Sequence, residues 1–358
     1  MRFRARGGLR VRFLMCAAIL GVVAVIAGCG SSKTSSSTTA ASTSSSTGAA
    51  ASGSSVRLPS MTSATLLLDF TPYAVHAGIY RALAAGYYKA NNIDLKVIQP
   101  TSAADVARLV DAGKADFGIT DGVDLISGIG KGQDYKAFMA LLQRPLAGLA
   151  VSGKSGITSP KQLEGKTVGS PGSPSNTAFL DTMVENSGGN PSKVKLITTG
   201  FNFVQYLESG NISAFTGYLT DAVQAQADGA PIRFLRLDQY GGPEYPSLVV
   251  YTTTSKLAHD APLIRAFVDA TVHGYNDTIA DPNVGLQALL SQNTLLKAKE
   301  MAAELKVVGP LFKEGAPQYG QLNLTQLEAL AAYLKQHKLL SQSIPADRIG
   351  TNAFLPKH

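Results

Sequence analysis

Short apolar runs, each the length of a strand, alternate along most of the chain with longer stretches whose apolar residues recur at helical spacing. Residues 65–69, 95–98 and 116–120 are predicted strands, with helices at 76–85 and 103–112 between them. Ser102 with Asp105 three residues on has the form of a capping box, and Gly113 is placed to stop the second helix. The alternation restarts at 149–152. Further strands are predicted at 167–169, 194–198, 214–218, 232–237 and 248–253, and helices at 159–160 onward, 176–185, 204–208 and 221–227. Beyond 261 the pattern is helical: 261–279, 284–290, 295–304 and 325–336 each carry an apolar stripe. Alternating strands and helices predict α/β architecture with largely parallel sheets. About 300 residues of this pattern exceed one comfortable core, so two domains are expected.

The beginning of the chain breaks the pattern. Arg2, Arg4, Arg6, Arg10 and Arg12 precede an apolar stretch over 13–28, shorter than the roughly 20 residues that span a bilayer comfortably. Residues 1–28 therefore read as an export signal. Its end, Ile26-Ala27-Gly28-Cys29, resembles a bacterial lipobox. That resemblance implies cleavage before Cys29 and a lipid on its thiol, which anchors the chain to the outer face of the cytoplasmic membrane. An ordinary signal peptide that merely contains Cys29 is the plainer reading. Residues 29–62 form the lipidated cysteine and a linker; 30–55 are nearly all Ser, Thr, Ala and Gly, with Lys33 the sole charge. Such a segment buries too little apolar surface to offset its ordering entropy and is expected to be a disordered tether.

Composition narrows the function. The chain is 45% hydrophobic and 16% charged, enough for a large core. The net charge of +7 falls to 27 − 25 = +2 once the five leading arginines are set aside. No basic run remains, so nucleic acid is not an expected partner. Cys16 leaves with the signal, and Cys29 alone supports neither a disulfide nor a cysteine metal site. The five His are scattered, and neither His-Glu-x-x-His nor Gly-x-Ser-x-Gly occurs. Residues 128–132, Gly-Ile-Gly-Lys-Gly, lack the spacing of a phosphate cradle, follow no predicted strand, and read as a loop. No metal, cofactor or catalytic constellation is expected.

Several motifs carry a family resemblance. Leu68-Asp69-Phe70-Thr71-Pro72, His76-Ala77-Gly78-Ile79-Tyr80 and Gly86-Tyr87-Tyr88-Lys89 resemble the opening of substrate-binding lipoproteins of ABC importers. The branch is the one shared by binders of thiamine pyrimidine precursors and the fungal pyrimidine synthases. Gly113-Lys114-Ala115-Asp116-Phe117-Gly118 and Leu163-Glu164-Gly165-Lys166-Thr167-Val168-Gly169 are shared more widely, with sulfonate, taurine and nitrate binders. Leu235-Arg236-Leu237-Asp238-Gln239-Tyr240-Gly241-Gly242-Pro243-Glu244-Tyr245 points back to the pyrimidine branch. The resemblance implies a periplasmic-binding-protein type 2 fold: two α/β lobes, parallel-rich sheets flanked by helices, and a ligand cleft between them. Lobe 1 is projected as 63–148 plus 250–358 and lobe 2 as 149–249. It also implies a monomer that serves a membrane permease and its ATPase.

In open α/β sheets ligands sit beyond the carboxyl ends of the strands. The candidate loops are 69–73, 120–123, 170–175, 199–202 and 218–221. They carry Asp69, Asp121 and Asp221, with Glu244 on a later loop, and no Lys or Arg. Such a cleft suits a ligand that donates hydrogen bonds or carries positive charge. Phe70, Tyr73, Tyr80 and Tyr218, with Tyr240, offer faces for a flat ring in a chain without Trp. An aminopyrimidine meets both demands. Pro72, His76, Thr120, Ser170, Ser173 and Ser175 complete the candidate site. Each aromatic fits core packing as well, Asp221 fits a helix cap, and His76 fits capping or packing. The 169–175 loop before a predicted helix keeps a small organic anion such as a sulfonate in play.

The synthases of the resembling branch use pyridoxal phosphate and iron. Where they carry a lysine for the aldehyde and a nearby histidine, the matching positions are Thr120 and Asp124. Their cysteine-rich motif has no counterpart after Cys29. The expectation is a binding protein and not an enzyme.

Overall fold

The computed structural model describes residues 56–101, 103–172, 174–200 and 202–357. The export signal, Cys29, the 30–55 tether, Ser102 and Ser173 lie outside the described residues.

Ten strands form two five-stranded sheets. β1 (Thr62–Leu67), β2 (Ile93–Ile98), β3 (Phe117–Asp121) and β4 (Tyr135–Ala140) belong to the first. β5 (Ala147–Ser152), β6 (Thr167–Ser170), β7 (Lys195–Thr198), β8 (Ala214–Tyr218) and β9 (Ile232–Arg236) make the second, and β10 (Leu248–Thr253) returns to the first. The orders are β2-β1-β3-β10-β4 and β7-β6-β8-β5-β9. In each sheet four strands run one way and one runs against them. The opposed strand is the one that has just crossed over: β5 pairs antiparallel with β8 and β9, and β10 with β3 and β4. The sheets are thus mixed, as α/β sheets with a returning strand commonly are.

The crossovers, 141–146 and 237–247, are laced to each other. Ser247 N donates to Leu142 O at 3.1 Å, and Leu141 N donates to Leu248 O at 2.7 Å. The first lobe packs its sheet against the helices Ala77–Ala84 and Ala261–Ala280, around Phe117, Phe138 and Phe267. Gly78 and Gly274 allow that helix pair to touch: a Cβ on Gly274 would stand 2.2 Å from Gly78 O. Among the described residues no helix is long and apolar enough to cross a membrane.

Two of the elements that arise where the pattern assigned none adjoin the first sheet. Residues 128–132, expected to be a loop, are largely the end of a helix, Gly122–Gly130, that follows β3 directly. Its glycines sit close against neighbours: a Cβ on Gly122 would meet Pro246 O at 3.0 Å, and one on Gly130 would meet Leu340 Cδ2 at 2.6 Å. β4 is the other, and Lys136 interrupts its apolar run. The helix expected at 295–304 spans Ala298–Val308 instead, because Leu295 is 97% exposed and joins no stripe.

Candidate ligand-binding site

Asp69 follows β1, and the chain then turns through a 3-10 segment, Ala74–His76, into the helix Ala77–Ala84. That turn folds two later side chains back onto the carboxylate. His76 Nε2 donates to Asp69 Oδ1 at 2.8 Å, and the Tyr73 hydroxyl donates to Oδ2 at 3.2 Å. The Tyr73 and His76 rings meet edge to face with centroids 4.6 Å apart. His76 is fully buried, and its Nδ1 has no partner. Burial and then Asp69 push the Tyr73 phenol well above its usual range. From the helix Ala298–Val308, Glu304 reaches the same turn and accepts from Ala74 N at 3.4 Å. Burial pushes its carboxyl up to about 7.

Asp121 ends β3. It caps the helix that follows, accepting from Val123 N at 2.8 Å, and its other oxygen accepts from Ser247 Oγ at 3.0 Å. Only 7% of the residue meets solvent. Burial, then the Asp124 carboxylate, raises its pKa to about 8 against those two hydrogen bonds, with Asp69 adding to the rise. Asp124 is itself pushed up by surrounding protein and pulled back by Lys131.

The second lobe presents Tyr218 at the end of β8 and Asp221 in the first turn of the helix Leu219–Ala227. Asp221 accepts from Tyr218 N at 2.8 Å, which meets the helix-capping reading, and burial raises its pKa. The Tyr218 phenol is pushed well above its usual range by burial, and then by Asp121, Asp124, Asp221 and Asp69. Yet 43% of Tyr218 is exposed. A side chain that is hemmed in but still reachable by water lies on the wall of a crevice. Its carboxylate neighbours come from both lobes, so this crevice is the cleft between them.

The other candidate residues are distributed as follows. Phe70 is 62% exposed beside Asp69. Pro72 and Thr120 are half-buried, with Thr120 paired to Val249 in the sheet. Ser170 is buried, and its hydroxyl accepts from Gly172 N at 3.1 Å within its own turn. Ser175 is half-buried in the helix Pro174–Asn186. Tyr80 packs in a small cluster with Leu289 and Met301 and does not join the acidic group. Glu244 pairs with Arg144, which also binds Glu314 at 3.0 Å. That group ties the two crossovers together and stands apart from Asp121.

Glu304, Tyr245 and Ser247 escaped the sequence reading. Glu304 stands among Met301, Leu305 and Val308 on the buried stripe of its helix, and a carboxylate in such a stripe was the available signal. Tyr245, 1% exposed, has its phenol pushed well above the usual range by burial and then by Asp121 and Tyr218.

The end of β3 does not fit pyridoxal phosphate, because neither Thr120 nor Asp124 can form a Schiff base. Among the described residues no group of three or more His, Cys, Asp or Glu could hold a metal ion.

Two α/β lobes, joined by paired crossovers and facing each other across a cleft at their strand ends, define the periplasmic-binding-protein class. Residues 73–284, more than half of the chain, match the family described as NMT1/THI5 like, and the chain belongs to that family. It is 26% identical over 294 residues to the formylaminopyrimidine-binding protein of Halalkalibacterium halodurans, covering 80% of this chain and 89% of that one. It is 25% identical over 235 residues to a 4-amino-5-hydroxymethyl-2-methylpyrimidine phosphate synthase of Saccharomyces cerevisiae, covering 62% and 69%. The alkanesulfonate-binding protein SsuA of Xanthomonas axonopodis pv. citri, solved with MOPS, shares the fold at a TM-score of 0.62 and 13% identity, over 82% of this chain and all of that one.

Proposed function

We propose that the chain is the solute-binding protein of an ABC importer, capturing a small heteroaromatic nutrient of the thiamine pyrimidine-precursor kind and handing it unchanged to a permease driven by an ATPase. In this reading the lobes close about the laced crossovers, and a lipid on Cys29 holds the protein at the outer face of the membrane. What supports it most is that the Asp69 and Asp121 carboxylates of the first lobe act on the Tyr218 phenol of the second. An aminopyrimidine sets an acceptor ring nitrogen beside a donor amino group. A protonated carboxyl group matches that edge, an ionised one matches it once the ring nitrogen carries a proton, and a phenol ring covers the face. The relative from Halalkalibacterium halodurans, named for formylaminopyrimidine binding, supports the same reading.

A small organic anion is the second reading. It is favoured by the turn at Ser170 and Gly172, which feeds the amino end of the helix Pro174–Asn186, where backbone N–H groups attract negative charge. The synthase reading draws on the relative from Saccharomyces cerevisiae and lacks a residue at Thr120 to carry the chemistry.

A thermal-shift screen separates these readings. Formylaminopyrimidines should stabilise the protein by about 2.7 kcal/mol at a hundredfold excess over the dissociation constant. Stabilisation by taurine or alkanesulfonates alone would reverse the ranking. Turnover with pyridoxal phosphate and iron would make the protein an enzyme.

A further inference from the structure

The cleft gathers acid without gathering base. Asp69, Asp121 and Asp124 come from the first lobe, Asp221 from the second, and Glu304 from the helix that bridges to both. Among the described residues, no lysine or arginine forms an ion pair with any of the five. Asp121 has only neutral donors, Val123 N and Ser247 Oγ, and the charged groups acting on it are the carboxylates Asp124 and Asp69. Its charge in turn acts on the phenols of Tyr218, in the second lobe, and Tyr245, in the second crossover. Two basic groups do reach the other members, His76 engaged with Asp69 and Lys131 acting on Asp124, whereas Arg144 is held by Glu244 and Glu314.

Burial with only neutral donors penalises the ionised form of Asp121, and the Asp124 carboxylate, in the first turn of the helix that Asp121 caps, adds to that penalty. We propose that Asp121, buried in the cleft with no cation paired to it, holds a proton in the free protein and yields it to solvent when a cationic ligand enters, so that capture is coupled to proton release. The inference rests on the solute-binding reading of the same cleft. The balance is simple. The carboxyl O–H breaks, the proton passes to water or buffer, and the ligand's positive charge replaces it as the partner of the carboxylate. A neutral aminopyrimidine would instead accept a hydrogen bond from the retained O–H and release nothing.

The direct test is calorimetric titration of thiamine, an aminopyrimidine carrying a fixed positive charge, into the full chain in detergent. Two buffers with different ionisation enthalpies are used at one pH near neutrality. Heats that differ between the buffers in the sense of proton release, with the difference shrinking in Asp121→Asn, are expected. Binding with identical heats in both buffers, or undiminished release in Asp121→Asn, would overturn the proposal. Failure of thiamine and of 4-amino-5-hydroxymethyl-2-methylpyrimidine to bind would instead overturn the pyrimidine-binding reading on which the proposal rests. The proton itself is read without ligand. Between about pH 5 and about pH 8, the thermal midpoint of the unsubstituted chain should fall relative to that of Asp121→Asn. Parallel curves would overturn the proposal.

Discussion

Asp121 and Tyr218 hold equivalent places in the two lobes. Asp121 is the last residue of β3 and pairs with Leu248, the first residue of the opposed strand that follows the second crossover. Tyr218 is the last residue of β8 and pairs with Ala147, the first residue of the opposed strand that follows the first crossover. Each lobe therefore delivers one residue to the cleft directly beside a hinge segment. Such a placement links any movement of the crossovers to the distance between acid and ring.

From this arrangement, Tyr218→Ala should weaken binding of an aminopyrimidine about tenfold, which is about 1.4 kcal/mol. Tyr218→Phe keeps the ring and should retain most of the affinity. Calorimetric titration of both variants checks this; equal losses would assign the effect to the hydroxyl.

Glu304 predicts a pH dependence of stability. Its pKa rises from 4.5 in the unfolded chain to about 7 when folded. Between those values the unfolded chain has ionised while the folded carboxyl keeps its proton. Stability should therefore decline as pH rises through that window and level off above it. In Glu304→Gln the decline should be smaller, as measured by thermal denaturation over the same range.

Gly274→Ala should destabilise the first lobe. The added methyl would stand 2.2 Å from Gly78 O and 2.6 Å from the Ala82 Cβ, and two packed helices would have to part. Overpacking of this kind typically costs about 1–3 kcal/mol. Chemical denaturation measures it, with Gly309→Ala, where a Cβ meets nothing within 4 Å, as the comparison.

Cys29 supplies a test of the anchor. Cells expressing the chain and fed a labelled fatty acid should label the protein, and Cys29→Ser should abolish the label and release the protein from membranes. A membrane-bound, unlabelled protein would contradict the lipidation reading.

Much of this organisation was legible in the sequence. β8 and β10 match their predicted bounds, 214–218 and 248–253, because both are β-branched and aromatic runs with a clear turn signal near at least one end. The ends of β1, β3 and β8 were legible as site loops for the same reason, and Asp69, Asp121 and Tyr218 came with them. The helix Gly122–Gly130 was not, since glycine spacing gives a poor helix signal and the close neighbours of those two glycines come from distant parts of the chain. Glu304 lay hidden because it arrives from about 230 residues beyond Ala74, and no local pattern records that approach. Tyr80 and Tyr218 looked alike as aromatic candidates. Their difference, one in a packed cluster and one on the cleft wall, is a property of the assembled lobes.

A crystal structure of the full chain soaked or grown with 4-amino-5-hydroxymethyl-2-methylpyrimidine tests the central reading most directly. The pyrimidine ring should lie in the cleft against Tyr218, its amino edge on the carboxyl of Asp121 or Asp69. An empty cleft at saturating pyrimidine, together with a sulfonate held at the amino end of Pro174–Asn186, would contradict it.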